Sequence, residues 1–590
     1  MDLKWSLKEL YPSFDSKEFK CDMKKLKDLI SSINSEADKD MKCKDKKAVL
    51  EKYIKNMIKV TELATNLGSF CGLTFSTDTK NTEALKNNEV IEKSLAELAE
   101  SNAKYEKYIG AIDNLNDIIK ESTLLKEHEF ILNETKEKSK HVLSDKEEAI
   151  IAKMKTTGSS AWTTLQDNLV SKLMVDIELD GKKKSMPLTE VRNLAYSKDA
   201  KVRKTAYYAE LESYKKIEDS IAAALNGIKG EVITTSSLRG YESPLQEALI
   251  KSRMDMDELE AMLCAMKEYM PHFRAYLKRK AEMLGHKNGL PFYDLFAPVG
   301  KVNMTYSYEE AKAFVEENFR TFSDKLGDFA RRAFDENWID VLPREGKVGG
   351  AFCAGIHTIG QSRVMINFGG NFNDVVTMSH ELGHGYHNSC VAQESILNSD
   401  YPMPIAETAS TFCETIVKKA AIKKASKEEA LVILESDLQD CTQVITDIYS
   451  RFLFEKKLFE EREKSPLSAD ELNEIMINAQ KEAYGDGLDP DILHPYMWIC
   501  KSHYYSADYN FYNFPYAFGL LFAKGLYAEY LKRGKSFVRE YDELLSVTGK
   551  KSAADVTKIM NIDIHDVNFW RSSLEIVKQD IDEFIRLSLD

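Results

Sequence analysis

The sequence predicts a mainly α-helical protein, a large multi-helix chain carrying one small antiparallel β-sheet. Three observations carry that prediction. Only 13 prolines and 27 glycines punctuate 590 residues, so little stops a helix once it has started. Between the breaks, Lys, Glu, Leu and Ala recur, and all are good helix formers. By contrast, Gly346, Gly349, Gly350, Gly355, Gly360, Gly369 and Gly370 crowd into one stretch, which suits strands and turns.

From residue 15 to about 133, helical patterns alternate with short polar breaks. Leu26, Leu29, Ile30 and Ile33 make one apolar face, and Leu63 to Thr79 reads as a buried helix pair. No fixed period recurs, so a solenoid is not favoured. Ser144 followed three residues later by Glu147 marks a helix start. Leu173 to Leu179 and then Asp180-Gly181 read as a strand and turn. Long helices follow from Leu188 to Gly227 and beyond, with a loop at Gly240 to Pro244. In the glycine-rich stretch, Ala351 to Ile356 and Arg363 to Phe368 are strand-like. Asn373 or Asp374 then caps a helix that runs through Val375, Val376 and Met378 into a histidine cluster.

The formal net charge of −14 argues against nucleic acid as a partner, because that binding draws on a basic surface. Lys and Glu interrupt the opening MDLKWSLKELYPSF, so no signal peptide is visible. No run approaches the roughly 20 apolar residues that cross a bilayer, so no membrane partner is expected. Nine cysteines without a Cys-x-x-Cys pair read as free thiols, and the expected compartment is cytoplasmic.

The chemistry centres on His380-Glu381-Leu382-Gly383-His384. Residues four apart share a helix face, about 5–6 Å apart at Cβ, so His380 and His384 can hold one metal ion. Glu381, one position further round, can reach a water on the ion's open side. The plain alternative is a surface helix with two solvated histidines. Gly383 and Gly385 argue against it: each costs about 1 kcal/mol relative to Ala in a helix, which calls for a close-packed neighbour or a ligand.

A catalytic zinc usually takes three protein ligands. A three-histidine metzincin pattern needs Gly at 387 and His at 390, and the chain has His387 and Cys390. Glu394, Glu407 and Glu414 remain. Glu394 is too near the first helix to face back at it. Glu407 follows Pro404 at the start of a fresh helix, after a loop long enough to reverse the chain, and is the expected third ligand. Glu414 lies on the same face and suits orienting a ligand imidazole, with a solvated carboxylate as the plain alternative. His387 reads as structural or supporting, His357 as a turn residue and His494 as a loop residue.

Downstream, His503, Tyr505, Tyr509, Tyr512 and Tyr516 form a segment dense in phenols, the tyrosines spaced four, three and four apart. It is either a core helix or a row of O–H donors lining a cleft. Asn510, Asn513 and Pro515 are poor inside a helix, which favours the row.

Three stretches carry a family resemblance: His380 to His387, Ile405 to Glu414, and Phe511 to Gly519. With these the chain resembles the oligoendopeptidase F branch of the M3 (thimet oligopeptidase-like) metallopeptidases, and weaker similarity runs from Trp5 to the carboxyl terminus. The resemblance implies a zincin-type fold, with the sheet beside the His-Glu-x-x-His helix and a deep channel walled by helices. It implies one Zn2+ per chain on His380, His384 and Glu407, with Glu381 as general base. Tyr512 is the preferred oxyanion donor, Tyr509 the next, and His503 joins them in catalysis; Tyr505, Tyr509 and Tyr516 bind substrate. The strand Arg363 to Phe368 offers an edge to an extended peptide.

The expected segments are 1–115, an amino-terminal helical region; 116–195, an oligopeptidase-type amino-terminal subdomain; and 196–590, the catalytic region. The expected function is hydrolysis of internal bonds in short unfolded peptides. A metallocarboxypeptidase of similar architecture and an inactive peptide-binding scaffold are the alternatives. The intact set His380, Glu381, His384 and Glu407 speaks against the scaffold.

Overall fold

Capping residues lay out the helices. In the computed structural model, which describes residues 3–300 and 304–589, many helices start on a Ser, Asp or Asn whose side chain accepts an amide hydrogen bond from the first turn. Ser144/Glu147, Asp255/Glu258, Ser307/Glu310, Asn371/Asp374, Ser426/Glu429 and Ser468/Glu471 are reciprocal capping boxes. Helices hold 71% of the residues, so the mainly α class stands. Among the described residues, no helix is long and apolar enough to cross a membrane.

Strands β1 (Met174–Leu179) and β2 (Lys182–Pro187) form the expected hairpin. Asp180 and Gly181 close it at φ 52° and 74°, the left-handed pair that a two-residue turn needs. Strands β3 (Ile339–Asp340), β4 (Phe352–Ile356) and β5 (Gln361–Met365) form a second sheet in the order β3-β5-β4. β4 and β5 pair antiparallel, from Phe352↔Met365 to Ile356↔Gln361. β3 runs parallel to β5, so this sheet is mixed rather than purely antiparallel. Two residues are too few to show a period in sequence. The addition makes β5 the central strand, paired on both sides. The free edge expected on Arg363 to Phe368 is therefore not there; it belongs to β4.

The chain packs into two compact units of three segments each. One comprises Met1–Val142, Asn303–Ala420 and Glu529–Ile562, and the other Leu143–Val302, Ala421–Ala528 and Asp563–Asp590. Packing thus groups residues across the linear order.

In the first unit, Leu26, Ile30 and Ile33 of helix Lys17–Asp40 are buried in one cluster with Val60, Leu67 and Phe70 of helix Lys46–Thr77. Leu29 packs against the cluster from its margin. The stretch Leu63 to Thr79, expected as a helix pair, is mostly the end of that one 32-residue helix. Gly68 and Gly72 meet no neighbour, and neither breaks it. This unit also holds the β3-β5-β4 sheet and the His-Glu-x-x-His helix.

In the second unit, helices Met256–Met283 and Val567–Leu589 pack together, with Tyr276 edge-on to Phe584 at 5.2 Å. Trp570, Leu574 and Phe584 are fully buried. Two buried ion pairs, Lys229–Glu455 at 2.8 Å and Lys280–Glu435 at 2.6 Å, tie this unit's helices together. Removing one partner of such a pair typically costs about 3–5 kcal/mol. The region after Leu188 is broken into Leu188–Asn193, Ala200–Tyr214 and Glu218–Leu238, because Asp199 caps a new start. Helices Lys427–Thr442 and Ile448–Arg462 join through a π-helical turn at Gln443–Asp447.

Candidate metal centre

The histidine helix spans Phe372–Val391. Asn371, not Asn373 or Asp374, is its cap. Asp374 is the reciprocal partner, accepting from the amides of Asn371 and Gly369. One helical turn brings the His380 and His384 Nε2 atoms to 3.1 Å. Gly383 and Gly385 have the close neighbours the sequence called for. A Cβ on Gly383 would lie 2.6 Å from the Ala409 carbonyl oxygen, and one on Gly385 2.8 Å from the Phe329 ring.

Glu407 comes from the helical region after Pro404, though that region breaks at it. A single turn, Met403–Ala406, ends at Glu407, which takes φ −88° and ψ 4°, and helix Thr408–Lys424 follows. The break swings the carboxylate toward the histidines. Ser410 Oγ donates to Glu407 Oε2 at 2.8 Å. Phe412, a turn further on, stacks on Tyr541 at 4.7 Å and meets Phe322 edge-on at 5.0 Å, which anchors this helix in the unit's core.

Glu407 Oε2 lies 3.3 Å from His380 Nε2 and 3.5 Å from His384 Nε2. With the 3.1 Å between the nitrogens, the three donors form a nearly equilateral triangle. Tetrahedral zinc with bonds of about 2.0–2.1 Å sets its ligand atoms roughly 3.3–3.4 Å apart. Two imidazoles, one carboxylate and this spacing fit one such ion. The three side chains keep 19–25% exposure, so the site opens on one side.

Surrounding charges set the protonation of the site. Burial disfavours the His380 imidazolium, but the hydrogen bond and charge of Glu414, with Glu407 and Glu381, outweigh it and raise the His380 pKa. Burial pulls His384 down, and the His380 charge adds to that against the pull of Glu407. Glu414 Oε1 meets His380 Nδ1 at 2.5 Å, the orienting contact read from sequence. Its carboxyl is held at about 2: burial would raise it, but the Lys418 ammonium, 2.9 Å away, and His380 prevail. Glu381 is 6% exposed. Burial pushes it up to about 7; the His380 charge opposes this, and Glu407 and Glu414 reinforce it.

Glu394, His357, His387 and His494 have other roles. Glu394 pairs with Lys550 at 2.6 Å. His357 sits in a short 3-10 turn with Nε2 donating to the Glu394 carbonyl. His387 is fully buried, stacked on Tyr401 at 4.0 Å and bonded to Thr548. His494 is a loop residue, but a buried one at 2% exposure.

The phenol-rich segment belongs to the second unit. It is not one helix. Ser502–Tyr505 is a 3-10 turn, Phe511 takes φ 52°, and the helix Phe514–Arg533 begins only afterwards. Tyr505 leaves the expected substrate-binding set: it is 1% exposed and its hydroxyl donates to the Trp498 carbonyl at 2.9 Å. Tyr509 is 62% exposed. Tyr516 donates to the Tyr512 hydroxyl at 3.2 Å. His503 packs 4.9 Å from the Tyr512 ring and its Nδ1 donates to Asn513 Oδ1.

Residues 193–576, well over half of the chain, match the model of Peptidase family M3. The chain belongs to peptidase family M3. Residues 112–174 match a second model, Oligopeptidase F, in line with the branch read from the three motif stretches. Among curated members, oligopeptidase PepF of Bacillus subtilis is 24% identical, over 99% of this chain and 87% of its own. The oligoendopeptidase F homolog of Lactococcus lactis is also 24% identical, over 99% and 97%. The fold is shared with a candidate peptidase of Chlamydophila abortus (TM-score 0.84, 21% identity, 99% and 98% covered). It is shared too with oligoendopeptidase F of Enterococcus faecium (TM-score 0.70, 18% identity, 97% and 99% covered).

In this M3-family chain, two supporting residues went unread in sequence. Ser410 and Lys418 stand three and four residues after Glu407 and Glu414. That is helix-neighbour spacing, the one signal that could have found them.

Proposed function

We propose that this M3-family chain is a zinc-dependent oligoendopeptidase that cuts internal bonds of short, unfolded peptides. The observation that carries the reading is the donor triangle of His380, His384 and Glu407 with Glu381 beside it. Zinc held by these three supplies a Lewis acid at the scissile carbonyl and acidifies water there. Glu381, poised near 7 by burial, takes the proton of the attacking water and returns it to the leaving amine. Glu414 fixes the His380 ring so that Nε2 faces the His384 and Glu407 donors, where the ion would be held.

The outer edge of β4, free because β5 is central, offers backbone donors and acceptors to an extended peptide and leaves selectivity to side-chain pockets. Tyr512 is the proposed oxyanion donor, with His503 packed against it and Tyr509 and Tyr516 as substrate contacts. All nine cysteines are free, which supports the cytoplasm as the working compartment.

The test is Glu381→Gln with a quenched peptide. The expected result is one zinc per chain as in the wild type, with kcat lower by about 10²–10⁴. Full turnover at full zinc occupancy would remove Glu381 as the base. Products from a peptide blocked at both ends settle the class: internal fragments support the endopeptidase, and cleavage only after unblocking assigns a carboxypeptidase.

A further inference from the structure

The second unit contains a cavity of about 300 Å3 whose lining includes none of the residues assigned above to metal or peptide. Its walls come from the segment Thr189 to Glu210, the 3-10 turn at Phe292, the π-helical turn and the segment His494 to Lys501. The lining includes the rings of Tyr196, Phe292 and Phe296. It also carries charged groups that are imperfectly balanced.

The imbalance is specific. Arg203 is matched by Asp294 at 2.6 Å, Asp447 by Arg451 at 2.5 Å, and Glu210 accepts from the Tyr214 hydroxyl at 2.8 Å. Arg192 is held only through Nε, 3.3 Å from Glu210 Oε1, and among the described residues its terminal nitrogens donate no hydrogen bond. The Lys501 ammonium has no ion-pair or hydrogen-bond partner among the described residues. Burial pushes its pKa down, and Arg451 and Arg192 add to that against the weaker pull of Asp447. A half-buried cation with no ion-pair partner is costly to desolvate. His494, 2% exposed, also lines the cavity, and its Nδ1 has no partner; buried polar atoms are rarely left so.

The π-helical turn is an independent sign. Such turns interrupt ordinary helical hydrogen bonding and are frequent at functional sites. Here both its first and last residues, Gln443 and Asp447, line the cavity.

We propose that this cavity binds a small organic carboxylate, its anionic end on Lys501 and Arg192 and its apolar body against Tyr196, Phe292 and Phe296. The volume sits at the lower end of ligand pockets, which limits the ligand to about the size of an aromatic acid or one amino acid. A free carboxylate completes the charge count, and the aromatic wall selects against an inorganic anion.

Isothermal titration of the zinc-loaded full chain tests this with 3-phenylpropionate, its uncharged twin 3-phenylpropan-1-ol, and inorganic phosphate. The acid should bind with one site per chain. Lys501→Met should weaken it at least tenfold and leave the alcohol within twofold. His384→Ala, which removes a metal ligand, should leave acid binding within twofold. Arg192→Gln should weaken the acid in the same direction, and Lys501→Arg should retain it; these two keep the test decisive where Lys501→Met lowers the melting temperature. Acid affinity indifferent to Lys501 and Arg192, or lost with His384→Ala, overturns the proposal. Phosphate binding as tightly as the acid overturns the organic class.

Discussion

His380 uses both ring nitrogens: Nδ1 meets Glu414, and Nε2 faces the His384 and Glu407 donors. The first contact fixes the ring's tautomer and direction, and so prepares the second. Glu414→Ala should therefore weaken zinc binding by about 10–100-fold, measured by competition with a chromogenic chelator, while Lys418→Ala should have a smaller effect in the same direction. The grouping of His380, His384 and Glu407 was readable because a helix fixes where residues four apart must point, and because few glutamates, Glu394, Glu407 and Glu414, followed within reach. Tyr505 was not readable. Its spacing matches that of its neighbours, and only the packing that brings the Trp498 carbonyl to its hydroxyl shows that it is used up. Burial of a phenol is a property of what surrounds it, and spacing along the chain does not carry that.

At the scale of the element, the histidine helix is fitted to its neighbours through its glycines. Gly→Ala inside a helix ordinarily stabilises by up to about 1 kcal/mol. Gly383→Ala should do the reverse, since the new Cβ meets backbone atoms of Ala409 and Ser410 at 2.6 Å and overpacking costs about 1–3 kcal/mol. Because Ser410 also holds Glu407, the expected signature is a lower melting temperature together with lost zinc.

The same helix carries an acid-sensitive residue. Burial pulls His387 down to about 3, with the His384 charge adding to it. The unfolded chain takes up that proton first, at about 6.5, so stability is intact above that value and declines as pH falls toward 3. Near pH 5 the loss is about 2 kcal/mol. His387→Gln in metal-free protein should flatten the fall of melting temperature between pH 7 and 5; an unchanged slope would assign the acid sensitivity to other groups.

The helix start at Ser144, the β1–β2 hairpin, the strands β4 and β5 and the helix into the histidines followed from caps and periodicity. What escaped was of two kinds: β3, too short to have a period, and breaks such as that at Glu407, where tertiary packing bends a region whose local residues favour continuing the helix.

At the scale of the molecule, the second unit depends on the last 28 residues, which supply helix Val567–Leu589 with Trp570, Leu574, Val577, Ile581 and Phe584 buried. A chain ended after Ile562 should lose that unit's core against Met256–Met283 and accumulate as insoluble protein. The check is soluble yield and a thermal scan against the full chain. A soluble, cooperatively melting truncation would show that the unit closes without its third segment.

The six alternating segments have a consequence for synthesis. The ribosome releases the chain from one end, and neither unit is complete until its third segment has emerged. The first 142 residues wait for the segment ending at Ile562, roughly 20–80 s at ordinary translation rates. Within the first segment Leu26, Ile30 and Ile33 already meet Val60, Leu67 and Phe70, while Trp5 and Leu73 wait for Ile356 and Met365. Chaperone occupancy on nascent chains should therefore persist until the segment ending at Ile562 has emerged, and no split of the gene at a single point yields two self-sufficient products.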